Sequence, residues 1–191
     1  MSLDCDHLLI GMTGSIGVVD MHRYLVKLRQ IFAKKITVMM SKSAQQFVPA
    51  YTMELFSANP VIADSFDIKG EIRVPHIELA EQADLFLIMP ATANILGKAA
   101  HAICDDLIST TIVACQAPIV FAPSMNEVMW TDKLVQRNVS ILKEVGYYVL
   151  EPGEGFEVST LEKGSKGGLP PIDALYLSLK VIYAAANQSK A

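Results

Sequence analysis

Residues 84–94 read Asp-Leu-Phe-Leu-Ile-Met-Pro-Ala-Thr-Ala-Asn, and this segment decides the fold that the sequence predicts. Its five consecutive apolar residues, 85–89, leave no polar face, which is typical of a central parallel strand covered on both sides. Pro90 is expected to end the strand, because proline has no N–H to donate to a neighbouring strand. The small and polar residues that follow stand where open α/β sheets bind ligands. An ordinary strand-to-helix turn would use the same residues.

Strand and helix patterns alternate along the rest of the chain. Further apolar runs predict strands at residues 7–12, 35–40, 118–122 and 147–150, with helical patterns between them. Such alternation is typical of βαβ units. We therefore expect an α/β fold: a single Rossmann-like domain over residues 1–191, with a doubly wound parallel sheet and helices on both of its faces.

Composition narrows the class of protein. The chain has 191 residues, of which 51% are hydrophobic, and its net charge is −4. No stretch approaches the roughly 20 apolar residues of a membrane span, and the first residues are acidic where a signal peptide is basic. The negative charge disfavours nucleic acid as a partner. We expect a cytoplasmic protein that binds neither membrane nor nucleic acid. Three unevenly spaced cysteines predict neither a disulfide framework nor a metal site.

Two turns carry residues that suit a phosphate group. Residues 13–17 read Thr-Gly-Ser-Ile-Gly between a strand and a helix, where free N–H groups can point at an anion. The glycine spacing differs from the dinucleotide fingerprint G-x-G-x-x-G, which weakens an NAD interpretation. Ser41 and Ser43 follow the second strand and could donate hydrogen bonds to a phosphate or ribityl chain. A tight structural turn and a helix cap are the alternatives.

His76 begins a helical pattern over residues 76–83, after a mixed segment of charged and small residues. A helix N-terminus lowers the pKa of a histidine and favours the neutral form that a general base requires. Many histidines in such positions are only surface or capping residues, and the residues by themselves leave both interpretations open.

Two later segments carry further candidates. Asp105 and Ser109 lie at the start of a predicted helix, where they could face a flavin-like ring. The alternative is a helix cap at Asp105 or Asp106 and a solvent-facing hydroxyl at Ser109. Residues 123–130 read Pro-Ser-Met-Asn-Glu-Val-Met-Trp after another buried strand. Asn126 could hold a carboxylate through its amide, and the two methionines could line a flat apolar ring. Core packing of the Met and Trp side chains, with Asn126 in a turn, is the alternative.

Residues 151–171 contain five glycines and three prolines. A loop of this length inside one domain is usually a lid or is disordered. We therefore expect a flexible segment that closes over a ligand.

Several of these segments, taken together and in order, resemble the homo-oligomeric flavin-containing cysteine decarboxylases. This family includes phosphopantothenoylcysteine decarboxylases and the lantibiotic peptidyl-cysteine decarboxylases of the epidermin and mersacidin type. The resemblance covers nearly the whole chain. Its motifs are residues 14–16 (Gly-Ser-Ile), 76–80 (His-Ile-Glu-Leu-Ala), 90–94 (Pro-Ala-Thr-Ala-Asn), the segment around Asp105-Asp106-Leu107, and residues 123–130, which match the P-x-M-N-x-x-M-W signature in full.

The resemblance implies FMN as cofactor, in a site formed between subunits of a trimer or a dodecamer of trimers. It implies His76 as the catalytic base and Asn126 as the anchor of the substrate carboxylate, with Met129 and Phe156 also at the substrate. The implied cofactor-binding residues are Gly14, Ser15, Ile16, Ser41, Ser43, Pro90, Ala91, Thr92, Asn94, Asp105, Ser109 and Met125.

The late segment distinguishes between branches of this family. Phosphopantothenoylcysteine decarboxylases carry a cysteine there that protonates the enethiol, whereas residues 151–171 contain none. The segment resembles that of the lantibiotic enzymes, in which it clamps a peptide. The resemblance therefore implies oxidative decarboxylation of the C-terminal cysteine of a precursor peptide. A coenzyme A pathway decarboxylase, a flavin prenyltransferase of similar fold and a non-catalytic FMN-binding regulatory subunit are the alternatives.

Overall fold

The computed structural model describes residues 3–63, 73–156 and 163–188. Its central sheet consists of β1 (Cys5–Met12), β2 (Ala33–Met40), β3 (Val61–Ile62), β4 (Leu85–Ala91), β5 (Ile119–Pro123) and β6 (Tyr148–Val149). All neighbouring strands are parallel, in the order β3-β2-β1-β4-β5-β6. The predicted doubly wound, Rossmann-like sheet is confirmed. The strand order reverses between β1 and β4, and ligands bind at such a switch point in open α/β sheets.

Helices cover both faces of the sheet. They are α1 (Met21–Ile31), α2 (Ala50–Ser57), α3 (Pro75–Gln82), α4 (Ala93–Ala100), α5 (Leu107–Ala114), α6 (Glu127–Trp130), α7 (Lys133–Glu144) and α8 (Ile172–Gln188). Within the described ranges, none of these helices is long and apolar enough to cross a membrane.

Strand β4 contains the apolar run 85–89 and is covered on both of its faces. All seven of its residues are buried. Leu85, Leu87 and Met89 face the core under α1 and α8, whereas Phe86 and Ile88 face the core under α4, α5 and α7. Because successive side chains of a strand point to opposite faces, a strand between two cores must be apolar at every position.

The predicted end of this strand is wrong. β4 continues through Pro90 to Ala91, and its pairing with β5 shifts register between Ile88 and Ala91. The proline stands within that irregularity, where a missing N–H does not interrupt a regular ladder. Its carbonyl oxygen accepts a hydrogen bond from the backbone N–H of Thr13 at 3.2 Å.

Residues 151–171 also differ from the prediction where the structure describes them. β7 (Gly153–Phe156) and β8 (Lys163–Gly168) pair as a separate antiparallel two-stranded sheet. The glycines that indicated a loop allow close packing instead: a Cβ on Gly168 would lie 2.9 Å from the carbonyl oxygen of Glu154. The connecting residues, 157–162, lie outside the described ranges, so the expected flexibility of the segment stays a prediction.

A buried histidine joins elements at the other end of the sheet. The ring of His7 contacts the carbonyl oxygen of Gln82 through Nδ1 at 3.0 Å and the hydroxyl of Thr37 through Nε2 at 2.8 Å. Since a carbonyl only accepts, Nδ1 carries the proton and Nε2 accepts from Thr37. Burial lowers the pKa of His7, and the charge of Lys35 lowers it further. This imidazole therefore stays neutral and links β1, β2 and the end of α3.

Candidate active site

A cavity of about 890 Å³ opens at the carboxyl ends of β1, β2 and β4. This volume lies within the range of ligand pockets in proteins. Its walls come from the turns after these strands and from the first turns of α4 and α5. The lining residues are Thr13, Gly14, Met40, Ser41, Lys42, Ser43, Ala63, Thr92, Ala93, Asn94, Ile95, Lys98, Asp105, Asp106, Leu107, Ile108 and Met129.

The two turns predicted to hold a phosphate lie directly against each other. A Cβ atom added to Gly14 would stand 2.3 Å from the Cβ of Ser43, so a side chain at position 14 is sterically excluded. Ser41 lines the same wall, and its Oγ accepts a hydrogen bond from the N–H of Ala44 at 3.1 Å. Of the two serines considered as caps, Ser41 therefore bonds to the first residue of the 3-10 helix Ala44–Gln46, whereas Ser43, directly before that helix, makes no side-chain capping bond.

Thr13 connects the turn after β1 to the turn after β4. Its Oγ1 donates to the carbonyl oxygen of Pro90 at 2.7 Å and accepts from the N–H of Thr92 at 3.0 Å. The Oγ1 of Thr92 in turn accepts from the N–H of Ile95 and caps the N-terminus of α4. This chain of bonds fixes the cavity walls on either side of the switch point.

Ser15 and Ile16 do not line the cavity of this chain. The hydroxyls of Ser15 and Ser124 form a hydrogen bond of 2.9 Å, and Ser15 also caps the short 3-10 helix Ile16–Asp20. Ile16 is about half exposed. Pro90 and Ala91 shape the turn from within the buried strand β4.

An ion-pair cluster forms the wall at α4 and α5. The Nζ of Lys98 lies 2.6 Å from Oδ1 of Asp105 and 2.6 Å from Oδ2 of Asp106, and its side chain is only 16% exposed. Partial burial by itself would lower the pKa of Lys98, but the hydrogen bonds to Asp105 and Asp106 raise it. Burial would raise the pKa of Asp106, but the bonds from Lys98 and from the Ser109 N–H lower it. Lys98 and Asp106 are therefore both charged near neutral pH.

Ser109 supports this wall but does not line the cavity. It is buried, and its hydroxyl and N–H form a capping box with Asp106 at the start of α5. The cap considered as an alternative is therefore Asp106, whereas the alternative of a solvent-facing hydroxyl at Ser109 is wrong because the residue is buried. Its predicted contact with a flavin has no counterpart among the residues that line the cavity.

The segment after β5 reaches the cavity through Met129, whereas Asn126 and Met125 are not among the described lining residues. Met129 is a lining residue, and Asn126 is exposed and caps α6 by accepting from the N–H of Val128 at 2.7 Å. Met125 packs against the core under α4 and α5. Asn126 therefore stands on a rigid turn rather than in a free loop.

The β7–β8 sheet packs against this same turn. The N–H of Met125 donates to the carbonyl oxygen of Gly167 at 3.0 Å, and Glu127 accepts from the N–H of Lys166 at 3.3 Å. Gly167 has a φ of +140°, and a Cβ there would lie within 2 Å of the Met125 carbonyl oxygen. Phe156 is the last residue of β7. Its predicted contact with the substrate stays a prediction, because the structure does not describe its side chain.

His76 lies apart from the cavity of its own chain. It is the second residue of α3, partly exposed, and it is not among the lining residues. The structure therefore brings together Gly14, Ser41, Ser43, Thr92, Asn94, Asp105 and Met129, and it does not bring His76 to them within one subunit.

Four polar or charged lining residues were not among the sequence candidates: Thr13, Lys42, Lys98 and Asp106. Thr13 and Lys42 are adjacent to predicted site residues, and their position directly after a strand could have identified them. Lys98 had no such signal, because its partners are seven and eight residues away and meet it only through the fold.

The residues present suit a flavin mononucleotide. Hydroxyls and the first turn of α4 offer donors for an anion, which the helix N-terminus also favours. Gly14 leaves the backbone accessible, and the apolar side chains of Met40, Ile108 and Met129 offer a surface for a flat ring. The charged wall at Lys98 adds groups that can pair with ring atoms.

A phosphate-accepting crevice at the switch point of a doubly wound sheet defines an α/β cofactor-binding protein. The chain belongs to the Flavoprotein family, which it matches over residues 2–181. It is 37% identical to the mersacidin decarboxylase of Bacillus sp. (strain HIL-Y85/54728), over 88% of this chain and 86% of that protein.

Two solved structures share the fold over nearly their whole length. The FMN-dependent cysteine decarboxylase SpaF superposes with a TM-score of 0.81 at 32% identity, covering 97% of this chain and 99% of that one. A histidine-to-asparagine variant of EpiD in complex with the substrate peptide DSYTC superposes with a TM-score of 0.82 at 27% identity, covering 93% and 99%.

A second group of relatives is larger than this chain. The coenzyme A biosynthesis bifunctional protein CoaBC of Bacillus subtilis (strain 168) is 38% identical over 78% of this chain. The matched region is only 37% of that protein.

Proposed function

We propose that this protein is an FMN-dependent peptidyl-cysteine decarboxylase. Its substrate would be a precursor peptide of the lantibiotic type that ends in cysteine, and its product a peptide that ends in an aminoenethiol. The observation that carries the proposal is similarity to mersacidin decarboxylase over almost the full length of both chains. The donor-lined cavity at the switch point supports the same cofactor. The proposal places the reaction in the cytoplasm.

Asn126 would hold the carboxylate of the substrate cysteine. Its Oδ1 caps α6, which fixes the amide plane three residues before Met129, a lining residue of the cavity. An amide N–H₂ donates hydrogen bonds and carries no charge, so it can bind a carboxylate without stabilising it so strongly that loss of CO₂ is opposed. Met129, which lines the cavity, would also contact the substrate.

His76 would act as the general base. Bound FMN would supply the two-electron acceptor for a hydride from Cβ of the cysteine. His76 would take the thiol proton, so that a thioaldehyde forms as the hydride leaves. The carboxylate then lies β to the C=S group, which accepts the electron pair released with CO₂. The product is the enethiolate, and the substrate has lost CO₂, one hydride and one proton.

The position of His76 bears on the assembly. Because His76 does not line the cavity of its own subunit, the proposal requires a neighbouring copy to complete the site. We therefore propose a homo-oligomer, a trimer or a dodecamer of trimers, in which His76 and the cavity meet across an interface. The β7–β8 sheet, together with Phe156, would close over the peptide beside Asn126.

The test is mass spectrometry of Cys-terminated peptides incubated with the FMN-loaded protein. The expected product has lost the elements of formic acid, with one FMN reduced per peptide when air is excluded. The matched control is the same peptide ending in serine, which has no thiol to oxidise and should remain unchanged. Bound FMN without product from any cysteine substrate would contradict the catalytic proposal and favour a regulatory flavoprotein.

A phosphopantothenoylcysteine decarboxylase is the second candidate, and the similarity to CoaBC favours it. The cysteine-free segment 151–171 argues against the complete reaction of that pathway. Incubation with phosphopantothenoylcysteine and a Cys-terminated peptide in competition separates the two. Preferential consumption of phosphopantothenoylcysteine would overturn the peptide assignment.

A further inference from the structure

Lys98 is the lysine on the α4–α5 wall of the cavity, and it lies between two carboxylates. Its Nζ contacts Asp105 and Asp106, both at 2.6 Å, and all three residues line the cavity. The other lysine of the described lining, Lys42, belongs to the opposite turn beside Ser41 and Ser43. The formal charges of Lys98, Asp105 and Asp106 on the α4–α5 wall sum to −1, and they would sum to −2 without Lys98.

This charge balance matters for a ring that accepts a hydride. Such a ring becomes more negative on reduction, so a nearby negative charge disfavours the reduced form and a positive charge favours it. The Lys98 side chain is only 16% exposed, so solvent screens its charge less than it screens surface groups, whereas the Asp105 side chain is 59% exposed. Lys98 thus offsets one of two carboxylates at the place where negative charge would develop.

The same contacts also orient the wall. Lys98 joins α4 to Asp106, which caps α5, and to Asp105, the residue before that cap. A role in orientation and a role in charge make different predictions, because only the second depends on the sum of the charges.

We infer that Lys98 sets the reduction potential of the bound flavin through its charge, by compensating the Asp105–Asp106 pair. The inference rests on the proposed FMN cofactor but not on the identity of the substrate. It concerns a property of the loaded protein that is measurable without any peptide.

The experiment measures the oxidised-to-reduced ratio of bound FMN against a reference dye. Lys98→Met is expected to shift this ratio at least ten-fold towards the oxidised form, which is about 30 mV for a two-electron couple. Asp106→Asn retains a capping oxygen, because asparagine is as good an N-cap as aspartate, and it should shift the ratio in the opposite direction. The double variant Lys98→Met/Asp106→Asn restores a wall charge of −1 and should return the ratio to within three-fold of wild type.

Matched controls separate charge from structure. Lys98→Arg keeps the charge and should keep the potential. Lys143→Met removes a lysine that pairs with Glu151, a residue outside the cavity lining, and should have no effect. Unchanged potentials in Lys98→Met and Asp106→Asn would overturn the inference, as would a shift in Lys98→Met that Asp106→Asn does not reverse. Failure of the wild-type protein to bind FMN would instead contradict the proposed function.

Discussion

The Oγ1 atom of Thr13 donates to the Pro90 carbonyl oxygen at 2.7 Å and joins the two strands between which the sheet reverses its order. The same oxygen accepts from the N–H of Thr92. One buried hydroxyl therefore sets the distance between the turns that form opposite sides of the cavity.

Replacing Thr13 tests this connection. Thr13→Val keeps the shape but leaves the Thr92 N–H and the Pro90 carbonyl without this partner, which we expect to cost about 1–3 kcal/mol of the free energy of unfolding. The affinity of Thr13→Val for FMN should fall as well, because the two turns are no longer held together. Chemical denaturation and flavin fluorescence titration measure both effects. Thr13→Ser keeps the hydroxyl and should stay close to wild type; equal losses in both variants would contradict the argument.

Gly14→Ala should disrupt the cavity by overpacking. The new methyl would stand 2.3 Å from the Cβ of Ser43, so one of the two turns must move, at an expected cost of about 1–3 kcal/mol. Loss of FMN binding should accompany it. Gly97→Ala is the control: its Cβ would only reach Asn138 at 3.5 Å, and alanine favours the helix α4. A Gly14→Ala protein that binds FMN normally would remove this turn from the site.

His76→Asn should retain FMN and lose decarboxylation by at least about 10²-fold, as expected for removal of a general base. Activity near that of wild type would show that the base has been assigned wrongly. Flavin absorbance and peptide mass spectrometry give the two readouts.

Mixed oligomers test where His76 acts. When His76→Asn and Asn126→Asp subunits are unfolded together and refolded, some sites receive an intact His76 from one subunit and an intact Asn126 from another. Activity that returns on mixing is expected if the site lies between subunits. Two inactive variants that stay inactive in proven mixed oligomers would place both residues in one subunit's site.

Asn126→Asp should impair handling of the substrate while leaving the fold intact. Aspartate still caps α6 through a side-chain oxygen, but it replaces the amide donors by a charge that repels a carboxylate. We expect kcat/KM to fall by about 10²-fold, with KM carrying much of the change. Asp132→Asn, at the cap of α7, makes the reverse exchange away from the cavity lining and should have no such effect. Unaltered kinetics in Asn126→Asp would exclude the proposed contact.

His7 should make the folded state sensitive to mild acid. Its pKa is lower in the folded protein than the ordinary value of 6.5, so the unfolded chain binds the proton more readily. The free energy of unfolding contributed by neutral His7 is complete above pH 6.5 and is lost as the pH falls below it. Urea denaturation at pH 7.5 and pH 5.5 should show a smaller difference in His7→Gln than in wild type. An identical pH dependence would contradict a buried neutral imidazole.

The sequence by itself determined the class of fold. A run such as residues 85–89 has one stable environment, a strand covered on both faces, and four more runs alternating with helical patterns require a parallel doubly wound sheet. Local rules also placed Thr92 at a helix start and put Gly14, Ser41 and Ser43 at strand ends. The family resemblance assigned these residues to one cofactor site, and they line one cavity because the carboxyl ends of parallel strands meet at one edge of the sheet.

Tertiary structure alone decided the rest. Pro90 could remain in β4 because the register with β5 shifts there. The glycine-rich residues 151–171 form a two-stranded sheet in part, and this sheet packs on the turn at Met125. Lys98 meets Asp105 and Asp106, and His76 stands away from the cavity of its own chain. These are relations between elements, and local periodicity contains no information about them because side-chain contacts across elements depend on how the helices pack on the sheet.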